Sequence, residues 1–276
     1  MLEVSRMSQL MTPLANCPRE TLAAIQGVLT DIDETVSTEG QLTADAYAAL
    51  EALKKAGFRV IPVTGRPAGW CDHIARFWPV DAVVGENGAF WMWHDAKANG
   101  KLQTRFVQGD AERAEGQRRL EAVRTQVLRE VPGAGIASDQ PYRVADLAVD
   151  FREDVPPLGE AEIARIVAIF EAHGAHAKVS SIHVNGWFGD YDKLTTSRLM
   201  MKELFGVDLD IHREHYVFAG DSPNDSPMFG YFPNAVGMAN VGDFAGRLEH
   251  QPRWVTAARS GAGFVELARA LIDTRR

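Results

Sequence analysis

Apolar positions along the chain switch between two periods. Short unbroken runs, GVLTDID (27–33), FRVIPVTG (58–65) and DAVVGENG (81–88), have strand length and stop at Gly, Asp or Thr. Between them, LTADAYAALEALKKAG (42–57) sets Leu50 and Leu53 on one face. Thr43 is its N-cap, and Gly57 lies just past its end. PAGWCDHIARFW (67–78) reads as the next helix. The alternation returns late in the chain, with helical TTSRLMMKELFG (195–206), then strands HYVFAGD (215–221), NAVGMAN (234–240) and WVTA (254–257). GAGFVELARALIDTRR (261–276) is a closing helix. Short apolar strands alternating with helices predict an α/β fold: a Rossmann-like, doubly wound parallel sheet covered on both faces. In such sheets chemistry collects at the carboxyl ends of the strands.

Residues 91–184 break this rhythm. Two polar helices, AERAEGQRRLEAVRTQVLREV (111–131) and GEAEIARIVAIFEAHG (159–174), sit among strand-like LQTRFV (102–107), YRVADLAVDF (142–151) and AHAKVSSIHV (175–184). That mixture predicts a small α+β domain inserted into the parallel one. The expected division is a core of residues 1–90 and 185–276, with 1–24 as a leader, and an insert of 91–184. The leader is expected to be a short helix or a frayed end, with an alternative start at Met7 or Met11.

At 276 residues, with 46% hydrophobic and 24% charged positions, the chain has the composition of an ordinary globular protein. A formal charge of −8 argues against nucleic-acid and anionic-membrane partners. No apolar run reaches the ~20 residues a membrane helix needs. Cys17 and Cys71 lack metal-type spacing and cannot staple a scaffold, so a reducing cytoplasm is the default location.

The acids at the strand ends change the picture. Asp31 and Asp33 close the first strand, with Thr35 following. Thr64, Gly65 and Arg66 close the second, where a hydroxyl and a tight glycine turn suit a phosphate-like anion. Lys193 precedes a helix, and VFAGDSPNDSPMF ends a later strand on Asp221 with Asn224 and Asp225 beyond it. Brought together, Asp31, Asp33, Asp221 and Asp225 would repel one another by roughly 4 kcal/mol per pair at 4 Å and an effective dielectric of 20. Such a cluster needs protons or a hard cation, and oxygen-only ligands beside a substrate phosphate are the usual Mg²⁺ environment.

In order and strand-end context, Asp31-x-Asp33-x-Thr35, Thr64-Gly65-Arg66, Lys193 and Gly220-Asp221-Ser222-x-Asn224-Asp225 resemble the motifs of the haloacid dehalogenase-like phosphatases. The insert and GENGA (85–89) are similar to the large-cap subfamily that contains Cof-type sugar phosphatases and sucrose-phosphate phosphatase. The resemblance implies that Asp31 is the nucleophile, forming an aspartyl phosphate, and that Asp33 is the general acid and base. It implies Mg²⁺ held by Asp31, Asp221 and the Asp33 backbone carbonyl, with Asp225 in support of the metal or of Lys193. Thr64, Gly65, Arg66, Lys193 and Asn224 would bind phosphate. Glu34 stands where the family commonly has glycine, and its carboxylate must point away from the cluster.

The insert would read the leaving group, with Arg143, His183 and Asn185 as candidate substrate contacts and Trp187 as a face for a sugar to stack on. Arg143 could pair with a second anionic group. The expected activity is Mg²⁺-dependent hydrolysis of a small phosphorylated metabolite, foremost a sugar phosphate, by a monomer or homodimer. A phosphomannomutase-like phosphotransferase and a non-catalytic sugar-phosphate sensor are the alternatives; a sensor has no need of a nucleophile and its acid.

Overall fold

A computed structural model of the chain describes residues 11–95, 100–180, 182–244 and 246–275. The start of the expected leader, including Met7, lies outside them. The rest of the leader holds β1 (Thr12–Pro13) and a short helix, α1 (Arg19–Ala23).

The core sheet is parallel, in the order β1, β13 (Trp254–Val255), β12 (Val236–Gly237), β11 (Tyr216–Gly220), β2 (Gly27–Thr30), β3 (Arg59–Pro62). The chain winds outward from β2 to β3, then returns to β11 and winds the other way, so the order reverses between β2 and β11. That is where a doubly wound sheet opens a crevice at its carboxyl edge.

Strand alternation decides which helices cover which face. Val28, Val60, Val217 and Ala219 pack against α2 (Ala44–Lys55) and α9 (Ser260–Ile272) through Leu50, Leu53, Phe264 and Leu267. Their neighbours Leu29, Ile61 and Phe218 point the other way, onto α6 (Lys193–Phe205) and α8 (Ser226–Tyr231) through Met200, Met201, Met228 and Phe229. Thr43 caps α2, its hydroxyl accepting from the Ala46 N–H at 3.3 Å. Helix α3 (Ala68–Phe77) and the four-residue α7 (Leu209–His212) complete the cover.

Strand β4 (Val83–Gly85) joins the core through a parallel bridge from Val63 to Val84. The antiparallel hairpin of β5 (Phe90–Asp95) and β6 (Lys101–Phe106) then adds to β4. Residues 91–95 and 101–106, placed in the insert by sequence, therefore pair with the core side. The remaining insert forms its own antiparallel sheet, in the order β7 (Gly135–Ile136), β8 (Asp146–Asp150), β10 (His183–Trp187), β9 (His176–Val179). Its strand β10 runs through the expected boundary at residue 184.

Helices α4 (Asp110–Glu130) and α5 (Glu160–Ala172) cover one face of that sheet, burying Leu120, Val123, Ile166 and Phe170 against Leu147, Val149 and Val184. The period-2 alternation sends Asp146, Asp150, His183 and Asn185 to the opposite face, toward the core. Among the described residues, no helix is long and apolar enough to cross a membrane.

Candidate active site

The site begins where β2 gives out. Asp31 follows the last residue of the strand and is held by its own N–H, which donates to Ala219 O in neighbouring β11 at 2.9 Å. Across that pairing, Asp221 follows Gly220 at the end of β11. Asp225 closes the turn after it, accepting at Oδ2 from the Asp221 N–H (3.1 Å) and the Ser222 N–H (3.4 Å). Glycine at position 220 is required by this turn, because a Cβ there would lie 2.4 Å from Asp225 Oδ2. Asp31, Asp221 and Asp225 thus bring carboxylate oxygens within 4.8 Å of one another, all buried.

Lys193, the first residue of α6, reaches this cluster from the other face of the sheet. Its Nζ lies 2.9 Å from Asp31 Oδ1 and 2.9 Å from Asp225 Oδ1. Burial alone would lower the lysine, but Asp225 and Asp31 outweigh it and keep the ammonium firmly protonated. Gly88 makes this approach possible: it takes φ of +112°, and a Cβ there would meet Asp192 O at 2.2 Å. The loop after β4 can therefore lie flat against the start of α6.

One ammonium does not balance the acids. Burial pushes Asp31 up to about 7, with Asp225 and Asp33 adding to the rise and Lys193 opposing it. Asp221 is driven well above the usual carboxylate range by burial, then by Asp225 and Asp31. Its oxygens accept from Asn240 Nδ2 (3.0 Å) and, more distantly, from Thr35 Oγ1 (3.4 Å). An all-oxygen cluster short of positive charge fits a hard divalent cation, which would hold the acids ionised. Asp225 spends both oxygens on Lys193 and the turn backbone, so it suits support more than direct ligation.

Asp33 is placed differently. Its carboxylate accepts from the Arg66 guanidinium, at 3.0 Å from Nε and 2.8 Å from Nη2, and lies outside the triad of Asp31, Asp221 and Asp225. Arg66 also approaches Glu153 (3.5 Å) and Asp139 (3.8 Å) on the insert and lies over the Trp70 ring. The Thr64 hydroxyl, fully buried, accepts from the Arg66 N–H at 3.0 Å and keeps its own O–H free to donate. Glu34 turns outward, its carboxylate accepting from Ser260 Oγ (2.9 Å).

A cavity between core and insert is lined by Asp31, Asp33, Gly65, Arg66, Asn224 and, from the insert, Arg143, His183 and Asn185. The sequence-selected residues of both parts therefore meet. Their partners differ from the expectation. Arg143 donates to both Asp139 oxygens (2.9 and 3.1 Å), to Asp146 (3.0 Å) and to Gly65 O (2.9 Å), which leaves little of its fork for a ligand. Asn185 Nδ2 donates to Asp146 (2.9 Å), and His183 Nε2 lies 2.8 Å from Glu153. Trp187 is buried, with its ring stacked on those of His176 and Tyr191.

Sequence reasoning passed over several residues. Asn240 orients Asp221 and also donates to Glu34 O (2.9 Å); its place at the end of NAVGMAN, a strand end like the others, was the available signal. Asn87, inside the GENGA segment but given no role there, lines the cavity with Lys178 and Ser180, which no motif marks. Glu86 joins core to insert, accepting from the N–H groups of Ala68 (2.9 Å), Val144 (2.9 Å), Ala145 (2.6 Å) and Asp146 (3.2 Å).

Comparison with known proteins agrees with this geometry. A family model described as haloacid dehalogenase-like hydrolase matches residues 28–112. A phosphoglycolate phosphatase of Haloarcula marismortui is 27% identical over 244 residues, covering 87% of this chain and 94% of its own. Among solved structures, the C-terminal domain of the C. albicans trehalose-6-phosphate phosphatase superposes with a TM-score of 0.72 at 13% identity, covering 96% of this chain and 99% of that one. The Synechocystis sucrose-phosphatase, solved with sucrose and phosphate, gives 0.61 at 15%, covering 90% and 98%. At such identities the structural matches show the fold alone. With the ordered motifs gathered at the sheet's carboxyl edge, the chain is similar over residues 28–112 to the haloacid dehalogenase-like hydrolases.

Proposed function

We propose that the protein is a Mg²⁺-dependent phosphatase that hydrolyses the phosphomonoester of a small metabolite through an aspartyl phosphate on Asp31. One observation carries this: Asp31 sits in a buried, all-oxygen cluster with Asp221, 2.9 Å from a lysine, at the mouth of a cavity that also exposes the Gly65 turn. Asp31 and Asp221, with the Asp33 backbone carbonyl, would hold Mg²⁺, which supplies charge neutralisation for the acids and the phosphoryl group.

A carboxylate oxygen of Asp31 attacks phosphorus, and the bond to the ester oxygen breaks. Asp33 gives its proton to the departing alkoxide, then takes one from the water that attacks the phosphorus of the acyl phosphate. Phosphate leaves and Asp31 is restored. Thr64 O–H and Lys193 Nζ bind phosphoryl oxygens, and Lys193 keeps Asp31 oriented. For its proton transfers Asp33 must turn from Arg66 toward the ester. The insert face lies over the cavity and limits it to small substrates, of which a sugar phosphate is the class implied by sequence resemblance.

The test is release of inorganic phosphate from p-nitrophenyl phosphate and from a panel of sugar phosphates. Activity should vanish with chelator, return with Mg²⁺ and need no bisphosphate activator. A requirement for such an activator would indicate a phosphotransferase instead.

A further inference from the structure

Beside the phosphate end of the cavity lies a second, smaller chamber, walled by Trp187, Leu194, Pro227 and Met228. Asn87, Lys178 and Asn224 border both spaces and so stand at the junction between them. Two of these side chains lack the partners that the rest of the site has.

Asn87 is 4% exposed, yet its Nδ2 has no hydrogen-bond partner. It sits in the left-handed region, φ 55° and ψ 23°, between Glu86 and Gly88. A buried amide left unpaired in a sparsely populated backbone conformation is costly unless something outside the protein pairs with it. Its side chain lies beside Gly65, where an added Cβ would come within 3.2 Å of Nδ2.

Lys178 approaches the same place from the insert. It pairs across the sheet with Asn185, whose side chain faces the cavity, so Lys178 projects from that same face. The other cations of the cavities are all engaged: Arg66 with Asp33, Arg143 with Asp139 and Asp146, and Lys193 with Asp31 and Asp225. Among the described residues, Lys178 is the lining cation without a carboxylate partner. Asp192, the chamber's acid, already accepts from the Thr195 N–H at 2.6 Å and its hydroxyl at 2.9 Å.

We infer that this junction is a subsite for a carboxylate borne on the leaving group, so that the preferred substrate is a short phosphorylated hydroxy acid. The inference rests on the phosphatase reading and narrows it. A sugar would bring several hydroxyls, each both donor and acceptor, against a wall that is largely apolar. A short carbon chain ending in an anion instead matches the apolar wall, the ammonium of Lys178 and the amide of Asn87. A charge-assisted pair of this kind is worth about tenfold to a hundredfold in discrimination.

The experiment compares kcat/KM, with Mg²⁺ present, for a short phosphorylated hydroxy acid and for the same skeleton with the carboxylate replaced by a primary amide. The native protein should favour the acid by about tenfold or more. Lys178→Ala should erase that ratio mainly through KM, Lys178→Arg should restore part of it, and Asn87→Asp, near-isosteric and tolerant of the same backbone, should reverse it by repulsion. Melting temperatures of the variants within a few degrees of the native protein separate lost recognition from lost folding. Release of phosphate from p-nitrophenyl phosphate without any preference for the acid, or a preference that survives Lys178→Ala, overturns the subsite and leaves the phosphatase standing. No phosphate release from any ester overturns both.

Discussion

Two buried acidic clusters lie on either side of the same cavity, and they are built to opposite ends. At the sheet edge, Asp31, Asp221 and Asp225 share one ammonium, from Lys193. At the joint between core and insert, Glu86, Asp139 and Asp146 surround Arg143. In the joint, nearly every oxygen has a donor: four backbone N–H groups converge on Glu86, the Arg143 fork is bidentate on Asp139, and Asp146 takes both Arg143 and Asn185. At the sheet edge one ammonium serves two acids, Asp31 has a donor at Oδ1 alone, and the Thr35 hydroxyl reaches Asp221 only at 3.4 Å. Burial raises acids in both places, Asp31 to about 7 and Glu86 to about 8. A raised carboxyl by itself therefore does not mark a reactive site. What separates the two is the acceptor capacity left on Asp31 and Asp221, where under the proposed function a cation and a phosphate would enter, against a joint whose acceptors are spent tying the parts together.

The largest effect expected from this contrast is chemical. Asp31→Asn keeps the shape of the strand end and removes the attacking oxygen anion, so phosphate release should fall on the order of 10⁴-fold or more. The variant should still fold, because removing one of three mutually repelling acids relieves the cluster. A stopped assay for inorganic phosphate checks the first point and a melting curve the second. A variant that keeps native turnover would remove Asp31 from the reaction.

Next in size is the response to metal. A cation bound by the folded site and not by the unfolded chain stabilises the fold by about 2.7 kcal/mol at a hundred times its Kd. Mg²⁺ should therefore raise the melting temperature of the native protein and do so much less for Asp221→Asn. The joint supplies the matching control. Glu86→Gln leaves the metal response intact but puts an amide N–H₂ where backbone N–H groups already point. The unpaired donors should cost about 1–3 kcal/mol in chemical denaturation. Equal loss of the Mg²⁺ response in both variants would merge the two clusters into one.

The sheet-edge cluster was legible in sequence and the joint was not, for a physical reason. Apolar runs that stop at Asp31, Thr64 and Asp221 announce strand ends, and a parallel sheet brings consecutive strand ends together whatever the intervening chain does. Lys193 follows the same logic as the first residue of the next helix. Glu86 instead meets Val144 and Asp146 across a long stretch of chain, and no local period records that contact. The hairpin LQTRFV shows the same limit: its alternation marks a strand, but pairing with β5 and β4 instead of the insert sheet is decided by tertiary packing. Arg143 was picked for its charge. Asp139 and Asp146, on either side of it in sequence, were the sign that this charge would be spent internally.

The smallest and most discriminating effect is the pH dependence of stability without metal. Asp31 at about 7 and Glu86 at about 8, with Asp221 also raised, hold protons in the folded state that the unfolded chain releases near the ordinary carboxylate range. The folded state then binds more protons, so stability falls as pH rises, by at most about 1.4 kcal/mol per unit for each group. The contribution is complete below the unfolded values near 4 and is lost as pH climbs through 7 and 8. Glu153, lowered chiefly by its bond to His183, works in the opposite direction at the acid end, which places the useful window above pH 5. Saturating Mg²⁺ keeps Asp31 and Asp221 ionised in the fold and removes their share of the slope, while Glu86, walled in by Val144, Ala145 and Ala68, keeps its own. Denaturation midpoints from pH 5 to 9, with and without Mg²⁺, should give two falling curves, the metal-free one steeper. Curves that run parallel would mean that the metal does not sit among the raised acids of the sheet edge.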